Sequence, residues 1–177
     1  MADINFARRS TPTDDTAPPA PDPRRSRTDP SIDFELIELL FFAYRDFIGE
    51  ADQTLATYGF GRAHHRVLHF VNRNPGMPVS DLLETLRITK QSLGRVLKQL
   101  VDEGFVEQTP GPVDRRQRLL TTTARGRALA LDLASHQSAR ISAALAGMDP
   151  AARATVRAFL DRMVDRTPYA PGGDMED

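Results

Sequence analysis

Thr89-Lys90-Gln91-Ser92-Leu93-Gly94-Arg95-Val96-Leu97-Lys98-Gln99-Leu100-Val101-Asp102-Glu103-Gly104-Phe105-Val106 is the stretch that decides the fold. Thr89 is a residue type that caps a helix, and Leu93, Val96, Leu97, Leu100 and Val101 recur at helical spacing as one apolar stripe. Gly104 stops that helix, and Phe105-Val106-Glu107-Gln108 opens a strand. With the stripe turned inward, Lys90, Gln91, Gly94, Arg95 and Lys98 face outward, joined by Thr89 and Ser92 at the N-terminal end. This is a helix with a packed side and a basic side.

Working upstream, Ser80 predicts the cap of a short helix that buries Leu82, Leu83 and Leu86 and ends near Arg87. Asn74-Pro75-Gly76-Met77-Pro78 reads as a turn, and Arg62 to Asn72 as a helix burying Val67, Leu68 and Val71. From a Ser31 cap, Phe34, Ile37, Leu40, Phe41, Tyr44, Phe47 and Ile48 mark a long first helix. Its apolar face is too broad for a small domain to cover, so a second copy of the chain is expected to cover it. Downstream, Arg118 to Thr121 makes a second strand after a loop holding Pro110, Gly111 and Pro112. Thr123 caps a helix running to about Ala146, and Asp149-Pro150 starts another that ends near Arg166. The fold class that follows is mainly α with a small β-wing. It is a winged helix-turn-helix over about 61–122, flanked by N- and C-terminal dimerisation helices over about 31–57 and 123–166, in one domain of 31–166.

The chain has 177 residues, 40% of them hydrophobic, enough for one core plus an extension shared with a partner. Six prolines among Ser, Thr, Asp and Arg in 1–30 predict a disordered arm, and 167–177 reads as a flexible acidic tail. The arm's Arg8, Arg9, Arg24, Arg25 and Arg27 alternate with aspartates, which favours a solvated tail over a DNA-touching one. Cysteine is absent, which excludes disulfides, thiolate metal sites and thiol redox sensing. The longest apolar stretch is broken by Glu38, Arg45 and Asp46, so neither a signal peptide nor a membrane span is expected, and a cytoplasmic location is.

The net charge of −1 conceals a partition. Arg87 to Arg127 holds nine Lys and Arg against four acids, whereas Asp29 to Tyr58 holds seven acids against Arg45 alone. A basic helix and a basic hairpin tip, Asp114-Arg115-Arg116-Gln117-Arg118, are what double-stranded DNA requires, because neutralised phosphates release counterions. Residues at the start of a recognition helix reach base edges, while later cations grip phosphates. An arginine at the hairpin tip suits the minor groove, and Asp114 is placed to hold a guanidinium in a bidentate pair. The DNA-contacting set is therefore Thr89, Lys90, Gln91, Ser92, Arg95, Lys98, Asp114, Arg115, Arg116 and Arg118. Gly94 either lets the helix approach the groove or accommodates packing.

The quoted stretch, followed by Asp114-Arg115-Arg116 and Thr123-Ala124-Arg125-Gly126, resembles the MarR family of regulators over about Ile32 to Val164. Gly61-Arg62-Ala63-His64-His65-Arg66-Val67-Leu68-His69-Phe70 is similar to its PetP-like branch. Thr122 departs from the pattern, which has Leu there, and makes wing packing the point to check. The resemblance implies a triangular homodimer on a pseudo-palindromic operator, with Arg116 or Arg115 in the minor groove. It also implies release of DNA when a small phenolic or anionic effector enters a cleft, for which Tyr58, Arg62, His65 and His69 are the wall candidates.

His65 and His69 stand at i and i+4, a spacing able to place two imidazoles on one metal, but no Cys or intervening Glu accompanies them. No metal and no cofactor is expected. The chain lacks a Gly-rich phosphate loop, a nucleophile elbow and an acid-rich metal cluster, so it is not read as an enzyme. The rival is a winged helix that serves as a protein-interaction module without specific DNA binding.

Overall fold

The computed structural model describes residues 31–165. The expected arm of 1–30 with its arginines, and the acidic tail of 167–177, lie outside the described residues. Six helices and three short strands follow in the order α1 (Phe34–Ala56), α2 (Arg62–Arg73), β1 (Met77–Pro78), α3 (Val79–Leu86), α4 (Lys90–Asp102), β2 (Val106–Pro110), β3 (Arg118–Thr122), α5 (Ala124–Ala144) and α6 (Pro150–Met163). The chain divides into two compact units between Glu38 and Leu39, within α1. In the first unit, Asp33 accepts the Leu36 N–H at 2.9 Å, so the cap of α1 is Asp33 and not Ser31.

In the second unit, caps fix the start of each helix that matters for the site. Thr89 accepts from the Ser92 N–H at 3.2 Å, and Thr123 from the Gly126 N–H at 3.0 Å. Asp149 accepts from Ala152 at 2.9 Å just before Pro150, which sacrifices no helical hydrogen bond at a first-turn position. α3 starts one residue before Ser80, on Pro78, and the Ser80 hydroxyl instead donates to Asp81 at 2.9 Å. The expected turn at 74–78 contains a strand: Met77 and Pro78 pair antiparallel with Leu120 and Leu119, giving a sheet of order β1-β3-β2. β2 and β3 form the wing hairpin, with Val106 opposite Thr122 and Pro110 opposite Arg118.

One core joins these elements apart from α6, which buries none of its residues. Leu93, Val96, Leu97 and Leu100 of α4 pack with Val67, Leu68 and Val71 of α2, Leu82 and Leu86 of α3, and Phe105, Val106 and Leu120 around the wing. Ala51 and Leu55, near the C-terminal end of α1, and Leu129 and Leu133 of α5 belong to the same cluster. The Thr122 hydroxyl donates to Asn72 at 3.3 Å, tying β3 to α2.

The tightest approach is where α5 meets the end of α4. A Cβ built on Gly126 would lie 1.9 Å from the Phe105 carbonyl oxygen. The same carbonyl accepts the Thr123 N–H at 3.1 Å, and the Thr123 hydroxyl donates to Gly104 O at 2.7 Å. Backbone atoms held by these bonds have no room to retreat. Gly126→Ala should therefore cost on the order of 3 kcal/mol, read as a lower urea midpoint at unchanged slope. A stability within 0.5 kcal/mol of wild type, again an order-of-magnitude margin, would show that this junction is looser than described.

Candidate nucleic-acid interface

Leu93, Val96, Leu97 and Leu100 of the inward stripe are buried and Val101 is partly so, whereas Lys90, Gln91, Ser92, Gly94, Arg95 and Lys98 are all exposed. At Thr89 the hydroxyl is already engaged, donating to the Ser92 hydroxyl at 2.9 Å while it caps the helix. A Cβ on Gly94 would meet nothing within 4 Å, so the glycine does not relieve crowding within the chain. What it leaves is a flat step on the outward face.

The hairpin tip is shaped from within. Gly111 N–H donates to Gln117 O at 3.0 Å, and Gln117 N–H to Asp114 O at 3.1 Å. The Asp114 carboxylate accepts the backbone N–H of Arg116 at 2.8 Å, not the guanidinium expected from sequence. An aspartate bonding the amide two residues on is a common turn-former, and here it aims the arginine by fixing its backbone. A cleft of about 740 Å³ lies between α4 and the wing, with Lys90, Gly94 and Lys98 on one side and Arg116 and Arg118 on the other. Among the described residues, Lys90, Arg95, Arg115, Arg116 and Arg118 carry no ion-pair partner, whereas Lys98 is bonded to Asp102 one turn along. Exposed cations held near one another without counterions give a positive surface.

A second cleft, of about 320 Å³, lies between α1 and α2. Arg62, His65, Arg66 and His69 line it from α2, a spacing that places all four on one helical face, opposite Tyr44, Phe47 and Ile48 of α1. Three of the four effector-wall candidates are thus brought together. Tyr58 is elsewhere, with its ring stacked on Phe60 at 5.9 Å and edge-on to Phe105 at 5.5 Å. Arg66, Phe70 and Gln137 line the cleft as well, and the 62/65/66/69 spacing marks Arg66. Asp52 bonds Arg62 at 2.9 Å, which holds that guanidinium charged. His64 faces away from the cleft: its Nδ1 accepts the Gly61 N–H at 3.1 Å, and its Nε2 lies 2.9 Å from Gln99 Oε1 of α4.

The sequence pattern of the MarR family matches residues 58–117. The HTH-type transcriptional regulator PetP of Rhodobacter capsulatus is 45% identical over 129 residues, which cover 73% of this chain and 78% of that protein. The chain belongs to the MarR family. Solved MarR-type structures share its fold. Streptococcus pneumoniae FabT in complex with DNA superposes with a TM-score of 0.65 at 17% identity, covering 73% of this chain and 92% of that one. Bordetella bronchiseptica BpsR, in a structure that addresses regulation of its DNA binding by 6-hydroxynicotinic acid, gives 0.57 at 24% identity, covering 74% and 99%.

As a MarR-family transcription regulator the chain has no catalytic constellation to account for. Among the described residues, no helix is long and apolar enough to cross a membrane, and no group of three His, Cys, Asp or Glu is placed to hold a metal ion. The two histidines of the second cleft carry a pH signature. Partial burial lowers His65, helped by the neighbouring His69 and opposed by Asp52, and partial burial together with Arg73 lowers His69. Both imidazoles thus bind protons less readily in the folded state than at their ordinary value of 6.5. Stability is whole above that value and falls as pH drops through it, because the unfolded chain then binds more protons. Replacing both with Gln should flatten the decline in urea midpoint between roughly pH 7 and 5. Equal slopes for wild type and the double variant would remove the histidines from the account.

Proposed function

We propose that this regulator binds duplex DNA sequence-specifically as a homodimer on a pseudo-palindromic operator, and that a small anionic or phenolic molecule in the α1/α2 cleft modulates binding. The observation that carries the reading is the set of exposed cations on α4 and the wing tip that have no ion-pair partner among the described residues, of which Lys90, Arg116 and Arg118 line one cleft. The N-terminal turn of α4, with Gln91 and Ser92, supplies the base-edge contacts, and Arg95 and Lys98 supply phosphate contacts. Arg116, set by the Asp114 turn, enters the minor groove.

Dimerisation is supported by apolar surface that the single chain leaves uncovered. α6 buries none of its residues, yet exposes Val156, Phe159, Leu160 and Met163 at i, i+3, i+4 and i+7. Leu39, Leu40, Phe41 and Phe42 of α1 are likewise exposed in succession. Stripes of this kind are covered in a folded protein by another surface, and a second copy offers the same stripes in return. The effector reading is supported by the second cleft, where aromatic walls from α1 face two arginines and two imidazoles.

Selection from a random duplex pool should enrich an inverted repeat with half-sites about 10 to 10.5 base pairs apart. Arg95→Ala and Arg116→Ala should each weaken binding to that duplex about tenfold without lowering the melting temperature. Each lost phosphate contact should make the log-log salt slope shallower by about 0.9. If both variants bind like wild type, α4 and the wing are misassigned. If a folded dimer enriches no sequence, the protein-interaction reading replaces this one. Leu160→Asp should shift the wild-type dimer to monomer in sedimentation velocity, and a persisting dimer would exclude α6 from the interface.

A further inference from the structure

Arg66 serves two surfaces at once. It lies on the α2 face that lines the second cleft, between His65 and His69, and its Nη2 donates to the Leu86 carbonyl at 2.8 Å. Leu86 is the last residue of α3, where carbonyls run out of intrahelical partners. The next residue, Arg87, is the one non-glycine among the described residues at positive φ, 49°, in the left-handed region that ordinary side chains avoid. That turn leads within three residues to Lys90, the first residue of the recognition helix. A strained turn persists only where its surroundings hold it, and the Arg66 guanidinium is one of the groups that do.

The two cleft arginines differ in what occupies them. Arg62 is already matched by the Asp52 carboxylate at 2.9 Å, whereas the partner of Arg66 is a neutral carbonyl. The guanidinium bond to the carbonyl has charge on one side only, whereas a carboxylate adds the opposite charge and offers bidentate geometry. An anion entering between the aromatic wall and His69 therefore competes for Arg66 more readily than for Arg62. We propose that Arg66 is the positioning residue that couples the cleft to the recognition helix: it latches the α3–α4 turn in the empty protein, and an aromatic carboxylate in the cleft draws it off. This rests on the effector reading above and adds the residue and bond through which that reading operates.

The test combines amide hydrogen exchange at residues 87–90 with affinity for the selected duplex, using 6-hydroxynicotinate as the probe. Arg66→Met should speed exchange in the turn and weaken DNA binding about tenfold, within the usual span of coupling energies, at a preserved melting temperature. Arg66→Lys, which keeps a donor for the carbonyl, should stay within about threefold of wild type. In wild type the probe should shift the ring signals of His65 and His69, speed exchange at 87–90 and weaken DNA binding. In Arg66→Met it should shift the same ring signals with no further change in the turn or in affinity. The proposal is overturned if Arg66→Met exchanges and binds like wild type, or if Arg66→Lys is as impaired as Arg66→Met. It is also overturned if the probe moves the histidine signals of wild type and leaves 87–90 unchanged. Failure of the probe to move those signals at millimolar concentration removes the effector reading, and the coupling with it. Should Arg66→Met not fold, the wild-type titration decides between these outcomes unaided.

Discussion

A methyl group on Gly126 would press to 1.9 Å from the carbonyl oxygen of Phe105, so α5 docks on the end of α4 only because no side chain intervenes. Around this contact the chain changes direction twice. Gly104, at φ 73°, ends α4, Phe105 N–H returns to Leu100 O at 2.8 Å, and Thr123 binds both Gly104 and Phe105 before starting α5. The Phe105 ring is fully buried, with Phe60 edge-on at 5.1 Å and the Arg125 guanidinium over it at 4.1 Å. The direction of α4, the root of the wing and the start of α5 are thus set by one junction. The basic surface that spans α4 and the wing depends on that junction for its shape.

The second constraint is where charge is left unpaired. Acidic side chains of α1 find cations: Asp52 meets Arg62, and Glu50 meets Arg140 at 2.8 Å. Exposed pairs of this kind add little stability, but they remove those arginines from any competition for phosphate. On the face of α4 and at the hairpin tip the acids are fewer, and Asp114 spends its carboxylate on a backbone amide. Cations there remain available to an external polyanion. A near-neutral chain can in this way present a strongly positive surface, as the charge partition along the sequence anticipates.

How much of this could be read from the sequence depends on whether the cause was local. The caps Thr89, Thr123 and Asp149, the buried stripe of α4 and the basic outward face follow from residues within a few positions of one another. Where two capping residues compete nearby, as Ser31 with Asp33, spacing alone did not choose, and the carboxylate took the Leu36 amide. Met77 and Pro78 are a strand only because β3 arrives beside them more than forty residues later, which no local pattern announces. The arginine partner expected for Asp114 was the wrong end of the right residue: the amide two positions on is nearer than any guanidinium. Tyr58 lies two residues from Phe60 and stacks on it while staying exposed, so its aromatic ring is drawn to Phe60 and Phe105 and not to the cleft. In the same region, the face shared by Arg62, His65, Arg66 and His69 was available from helical spacing, and only three of the four were singled out.

α2 shows why those omissions matter together. Its buried face, Val67, Leu68 and Val71, lies at the centre of the core, and its cleft face meets α1. Two polar side chains carry it further: His64 reaches Gln99 in the middle of α4, and Arg66 reaches the carbonyl that ends α3. Gln99 in turn donates to Glu103 at 2.9 Å, one helical turn along, so the chain of bonds from Gly61 runs to the C-terminal end of α4. A helix packed on one side and bonded at two points to both halves of the helix-turn-helix cannot shift without moving them. Close-packed elements respond to a displaced neighbour by moving as units, because the interior has little free volume to absorb the change. α2 and α4 therefore belong to one packed assembly, and a displacement of the first is carried to the second.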